Sequence, residues 1–199
     1  MLFESIKKNK ILIYDNLLNN EEIQSIKKNI FDSNFPWYLI QTKDKEDKFY
    51  SVDLKTYKKV LKIKNVREYA KFVHTFLHGK EISNKFVIPE IIIKRIVDFF
   101  KIKNIKVLRV KTNLQTSNVL INKNHHSSPH VDHDTKHMVG IYYVNNCDGD
   151  TRIFKKNKLF KLIKPKAGRM VLFNGALKHS AGFPVKSQVR CVINFNFKM

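Results

Sequence analysis

Apolar residues recur along the chain at two different periods, and the change falls near Lys106. Before it, the spacing is helical. Asn20 makes a capping start, Glu21 and Glu22 suit the first turn, and Ile23, Ile26 and Ile30 follow at intervals of three and four. This helix is expected to stop near "DSNFPWYL", where Pro36 breaks it. A second helix is expected from Pro89, burying Ile92, Ile93, Ile96, Val97 and Phe100. A third is expected over Val66 to Leu77, and "KILIY" near the start reads as a short strand.

Past Lys106 the period becomes two. "KVLRVKTNLQ", "HMVGIYYVN", "TRIF", "LFKLIK", "GRMVLFN" and "VRCVINFNF" are short β-branched or aromatic runs. Between them lie "CDGD", "KKNK", "KPKAG" and "GFPVKSQ", which have turn compositions. Many short strands at close spacing predict a sandwich or barrel. No internal repeat or low-complexity linker interrupts the chain. Helical support over about 1–104 and a β core over about 105–199 are therefore expected to pack as one domain, 1–199.

Composition adds little to this picture, but charge raises a question. A chain of 199 residues, 43% hydrophobic and 12% aromatic, is ordinary for a globular domain that folds alone. Thirty-eight Lys and Arg against 17 Asp and Glu leave a formal charge of +21, which invites a polyanion. Only Arg67, Arg95, Arg109, Arg152, Arg169 and Arg190 are arginines, however, and the lysines are dispersed. Arg dominates base readout and bidentate phosphate contacts, so the pattern fits a solvated surface better than a reading groove. Cys147 and Cys191 are too few for a disulfide scaffold and lack CxxC spacing. With no signal-peptide core at the start and no run of membrane-spanning length, a soluble cytoplasmic protein without a membrane partner is expected.

Candidate chemistry gathers around "SSPHVDHDTKH", residues 127–137. On a strand, His130 and Asp132 point to one side and offer an imidazole and a carboxylate together. A third ligand must come from elsewhere, and His179 is the histidine available in the later β region. Two His and one carboxylate leave open positions on a metal, the arrangement that suits Fe(II) oxygenases.

Four segments, "PHVDHD", "IYYVNNCDGDTRIF", "IKPKAGRMVLFNGALKHSAGFP" and "VRCVINFNF", in this order and spacing resemble the Fe(II)- and 2-oxoglutarate-dependent dioxygenases, in the prolyl-hydroxylase-like branch that includes phage proteins. The resemblance covers about residues 105 to 197. It implies a mainly β, α+β architecture: a double-stranded β-helix of jelly-roll type with N-terminal helices on its outer face. It implies His130, Asp132 and His179 as iron ligands, and Arg190, eleven residues after His179, as the partner of the distal carboxylate of 2-oxoglutarate. A guanidinium suits that task because it is planar, bidentate and always charged. Tyr143 matches a tyrosine that bonds the same carboxylate, and alternation puts Asn113 near the other end of the co-substrate.

The implied cofactors are Fe(II) with 2-oxoglutarate and O₂ as co-substrates, and the implied outcome is hydroxylation coupled to formation of succinate and CO₂. Retention of Asp132 argues against a halogenase, in which a small residue replaces the carboxylate. The branch implies a peptidyl or free amino acid substrate such as proline, so a small molecule or peptide is favoured over nucleic acid. Two alternatives stay open: a nucleic-acid-directed demethylase or hydroxylase of the same superfamily, and a non-enzymatic metal- or polyanion-binding module. The sequence assigns no oligomeric state.

The remaining histidines get plainer expectations. His133 and His137 are four apart, but Asp134 stands where a zinc-protease pair has Glu, so both are expected at the solvent or the cleft rim. His125 and His126 are expected in an exposed loop. Asp134 is expected beside the metal but not on it, or in contact with substrate. Arg169 should anchor a turn, Thr151 and Phe154 should be structural, and Cys191 should face away from Arg190 as a buried apolar group.

Overall fold

The computed structural model describes residues 2–40, 71–117 and 121–199. Among these residues three helices, α1 (Leu2–Lys7), α2 (Asn20–Ile30) and α3 (Val87–Phe100), lie among eleven strands. In chain order the strands are β1 (Leu12–Tyr14), β2 (Tyr38–Ile40), β3 (Lys71–His78), β4 (Glu81–Ile82), β5 (Val107–Thr116) and β6 (His137–Tyr143). They continue with β7 (Thr151–Lys155), β8 (Lys158–Ile163), β9 (Met170–Asn174), β10 (His179–Ala181) and β11 (Val189–Lys198). The larger sheet runs β1-β9-β6-β11-β5-β3-β2 with β4 beside β3, and the smaller runs β10-β7-β8. Every described pairing of strands in both is antiparallel.

The larger sheet is covered on both faces. Outward, Cys191, Ile193, Phe195 and Phe197 of β11 join Met138, Tyr142, Met170 and Leu172 under Ile6 of α1, Ile26 and Ile30 of α2, and Ile92 and Ile96 of α3. Inward, Val139, Ile141, Tyr143, Val171, Phe173 and Val192 meet Ile153 and Ile163 of the smaller sheet. Because it is sandwiched, β6 is buried at every position and reads as an unbroken apolar run. The period of two past Lys106 is thus the alternation between a helix-facing and a sheet-facing core.

The N-terminal half differs from its expected, mainly helical form. The segment expected as a third helix is β3 from Lys71 onward, paired along β5; residues 66–70 of that expectation lie outside the described residues. Its Val73, Thr75, His74 and Phe76 suit a pleated, half-buried surface, and pairing on a long neighbour outweighs a helix-compatible spacing. Helix α1, which no period announced, is only six residues long and buries Leu2 and Ile6. The cap of α2 is Asn19, one residue earlier than expected. Asn19 Oδ1 accepts from Glu22 N at 2.9 Å and Glu22 Oε2 accepts from Asn19 N at 3.0 Å, a reciprocal capping box. Glu22 also pairs with Arg95 of α3 at 2.6 Å, tying the two helices together. α3 starts two residues before Pro89, at Val87.

"KILIY" supplies β1, which pairs with β9. Arg169 anchors its turn as expected, donating to Asp15 at 2.7 and 2.9 Å and to the Lys164 carbonyl at 2.7 Å. Among the described residues, no helix is long and apolar enough to cross a membrane.

Candidate metal centre and co-substrate pocket

His130 and His179 hold each other through the backbone. Each donates its N–H to the other's carbonyl, at 3.0 and 2.9 Å, in an isolated antiparallel bridge. The strand expected through His130 and Asp132 shrinks to this one bridge, with Asp132 in a bend two residues on. The side chains converge nevertheless: one ligand atom from each of His130, Asp132 and His179 lies within 4.8 Å of the others. His130 Nε2 is 3.7 Å from Asp132 Oδ1, and His179 Nε2 is 3.6 Å from Asp132 Oδ2.

Each group is prepared for a cation. His130 Nδ1 is 2.8 Å from the Ser128 carbonyl, which only accepts, so Nδ1 carries the proton and Nε2 offers a lone pair toward Asp132 and His179. Burial pulls the pKa of His179 down to about 4, against the opposing pull of Asp132, and keeps its ring neutral near pH 7. Burial would raise Asp132, but His179, Arg109, Asn196 and His130 together hold its carboxyl well below the usual carboxylate range. The contacts are specific: Arg109 Nη2 reaches Oδ1 at 3.0 Å, while Asn194 Nδ2 and Asn196 Nδ2 both donate to Oδ2 at 3.0 Å. Two imidazoles and an ionised carboxylate, with His130 half exposed on one side, are a donor set that fits Fe(II).

Further along the inner face of β11 lies Arg190, 3% exposed. Its Nε donates to the Gly149 carbonyl at 2.8 Å, Nη2 to Thr151 Oγ1 at 2.8 Å, and Nη1 to Gln115 Oε1 at 3.3 Å. Tyr143 donates its hydroxyl to the same Thr151 Oγ1 at 2.6 Å, and its ring centroid lies 5.9 Å from the guanidinium carbon. Gly149 is required here, because a Cβ would stand 2.8 Å from Arg190 Cδ and 2.9 Å from the Gly182 carbonyl. Arg190 and Tyr143 therefore come together, with Thr151 as their shared acceptor. Asn113 is half-buried on β5 and pairs in register with Val192, on the same inner face between Arg190 and Asn194.

Several residues had no assigned role in the sequence. Arg109, Asn194 and Asn196 clamp Asp132, and Gln115 holds Arg190 beside Thr151, which was expected to be structural. A signal existed in "VRCVINFNF", where Arg190, Asn194 and Asn196 share parity in an otherwise apolar strand. Three expectations about histidine need correcting. His125 and His126 are buried, each 8% exposed, because their segment is bonded to 179–182 through Ser127 N to the Ala181 carbonyl and His126 Nδ1 to Ser180 Oγ. His137 is not a rim residue but the buried start of β6, with Nδ1 donating to the Thr135 carbonyl at 2.7 Å and Gly175 so close that any side chain there would overlap the ring. His133 is exposed as expected; Asp134, expected beside the metal, is exposed too, and neither belongs to the cluster of three. Cys191 faces away from Arg190 into the outer core, where burial pushes its thiol up to about 12.

Residues 114–198 match the 2OG-Fe(II) oxygenase superfamily in sequence. The likeness in sequence is confined to this segment. The 2OG-Fe(II) oxygenases use Fe(II), 2-oxoglutarate and O₂, which accords with the donor set around Asp132. Solved structures share the fold of the whole chain. A 2OG-Fe(II) oxygenase family oxidoreductase from Burkholderia pseudomallei is 10% identical with a TM-score of 0.67, over 98% of this chain and 88% of its own. A prolyl hydroxylase from Trichoplax adhaerens, solved with a hypoxia inducible factor peptide fragment, is 14% identical with a TM-score of 0.61, over 100% of this chain and 88% of its own. The viral collagen prolyl hydroxylase of Paramecium Bursaria Chlorella virus-1 is 16% identical with a TM-score of 0.55, over 96% and 97%. No curated protein matches the chain in sequence. At these identities the likeness is one of fold, the double-stranded β-helix of the oxygenases.

Proposed function

We propose that this oxygenase is a hydroxylase of a peptidyl or free amino acid such as proline, with His130, Asp132 and His179 as its iron ligands. The convergence of those three donors, two from one short segment and His179 from far along the chain, is the observation that carries the reading. Arg190 would take the distal carboxylate of 2-oxoglutarate with help from Tyr143, and Asn113 would flank the co-substrate's other end. Iron, when bound there, supplies the site at which 2-oxoglutarate and O₂ react. The protein's own groups set the stage. Arg109, Asn194 and Asn196 keep Asp132 ionised and aimed, and the His130–Ser128 bond fixes the tautomer that presents Nε2. The buried Arg190 repays a carboxylate's lost hydration with a fixed charge. The prolyl hydroxylases among the structural neighbours support the amino-acid substrate class.

Anaerobic addition of Fe(II) and then 2-oxoglutarate to the purified chain should develop the weak visible charge-transfer absorption of the chelated complex. Aerobic succinate production is then to be assayed with peptide, free amino-acid and nucleic-acid pools. A chain that binds iron without developing the absorption would sink the reading.

A further inference from the structure

Strand register gathers a second set of cations beside the metal centre. Along β5, Arg109 stands opposite Asn196 and Lys111 opposite Asn194. On the other side of β5, Thr75 of β3 pairs with Lys111 and Val73 with Asn113. Alternation therefore brings Lys71, two residues before Val73, to the same inner face as Lys111, Arg109 and the asparagines that hold Asp132. Arg109 is engaged by Asp132 at 3.0 Å. Lys111 is half-buried, and among the described residues neither a hydrogen bond nor an ion pair reaches its ammonium. The charges acting on it are those of Lys71, Arg109 and, in opposition, Asp132.

A half-buried ammonium set between two other cations is costly to hold, and the cost falls when an anion arrives. The co-substrate's distal carboxylate already has its partner elsewhere. Arg190 lies four residues from Asn194 on β11, about 13 Å along the strand at ~3.3 Å per residue, so the two cationic places are distinct. The bidentate fork that favours phosphate is not free here, because the one arginine is taken by Asp132, and a lysine offers only a point charge. We propose that Lys111, with Lys71 beside it, binds a carboxylate of the substrate, so that the molecule oxidised is a small free acid such as a free amino acid, not an internal residue of a protein. This inference rests on the oxygenase reading and narrows its substrate.

The test uses the full chain loaded with Fe(II) and 2-oxoglutarate. Succinate is measured with a pool of standard amino acids and short carboxylic acids, with the same compounds as carboxamides, and with single-stranded DNA. The acid pool should stimulate turnover and the amide pool should not. Lys111→Met should raise the KM for the stimulating acid about 10- to 100-fold, the loss of one charge-assisted contact, and Lys111→Arg should recover most of it. Iron and 2-oxoglutarate binding, read from the visible absorption, should persist in both variants. Stimulation by the amides alike, by DNA alone or by neither pool would overturn the assignment, as would a Lys111→Met effect on the KM for 2-oxoglutarate instead. Absence of the absorption in the unaltered protein would bring down the oxygenase reading itself, a separate result.

Discussion

On β11, Cys191, Ile193, Phe195 and Phe197 face the helices, while Arg190, Val192, Asn194 and Asn196 face the smaller sheet. The first set is apolar and sealed. The second is polar at three of its four positions, and each polar side chain donates to a partner: Arg190 to Gly149, Gln115 and Thr151, the two asparagines through Nδ2 to Asp132. One strand thus carries the sealed core on one face and the proposed site on the other, at adjacent residues. Neither face can slip without the other, because a shift of one residue would exchange them.

If the faces divide the work this way, their substitutions must fail differently. The largest effect is expected at Asp132→Ala, which should abolish co-substrate turnover and iron retention, measured by metal content and succinate release; retained turnover would break the division. Phe195→Ala, on the sealed face, should cost about 3–5 kcal/mol in denaturant unfolding, with the 2-oxoglutarate requirement of the folded fraction unchanged. Arg190→Ala should raise that requirement on the order of 100-fold and leave iron affinity alone, because the carboxylate loses a charged partner.

A smaller effect is expected at Lys111, where burial, then Lys71 and Arg109, pull the pKa down to about 8 from its ordinary 10.5. The folded state disfavours the charged form, so the cost is fully present below pH 8 and disappears as pH rises to 10.5. The protein should therefore gain thermal stability over that window. Lys111→Met should melt higher at pH 7 and lose the gain, and an unchanged slope in that variant would assign the effect to other groups. Least of all, His133→Ala should leave iron affinity as it was, in a direct titration.

The strands past Lys106 were legible because each carries its own alternation, and a covered sheet needs apolar runs. The convergence of His130 and Asp132 with His179 was legible, although the local backbone is a bend and a single bridge where a strand was expected. Less local features were not legible. β3 was read as helix because its strand character comes from β5, far along the chain. Gln115 and Arg109 acquire roles only through register, and the burial of His125, His126 and His137 comes from segments near residues 175–182 that cover them. Charge count, which first suggested a polyanion, could not tell a dispersed lysine from the one that sits beside Asp132.

The reciprocal bridge between His130 and His179 has a further consequence for folding. It closes the chain between these positions into a loop whose entropy the protein has already given up before any ion arrives. An ion held by both imidazoles and Asp132 then behaves as a reversible staple across that closure. It binds the folded chain and not the unfolded one, so resistance to unfolding should climb with the logarithm of free iron. A chelator would do more than silence the site: it would loosen the seam that joins 125–130 to 179–182.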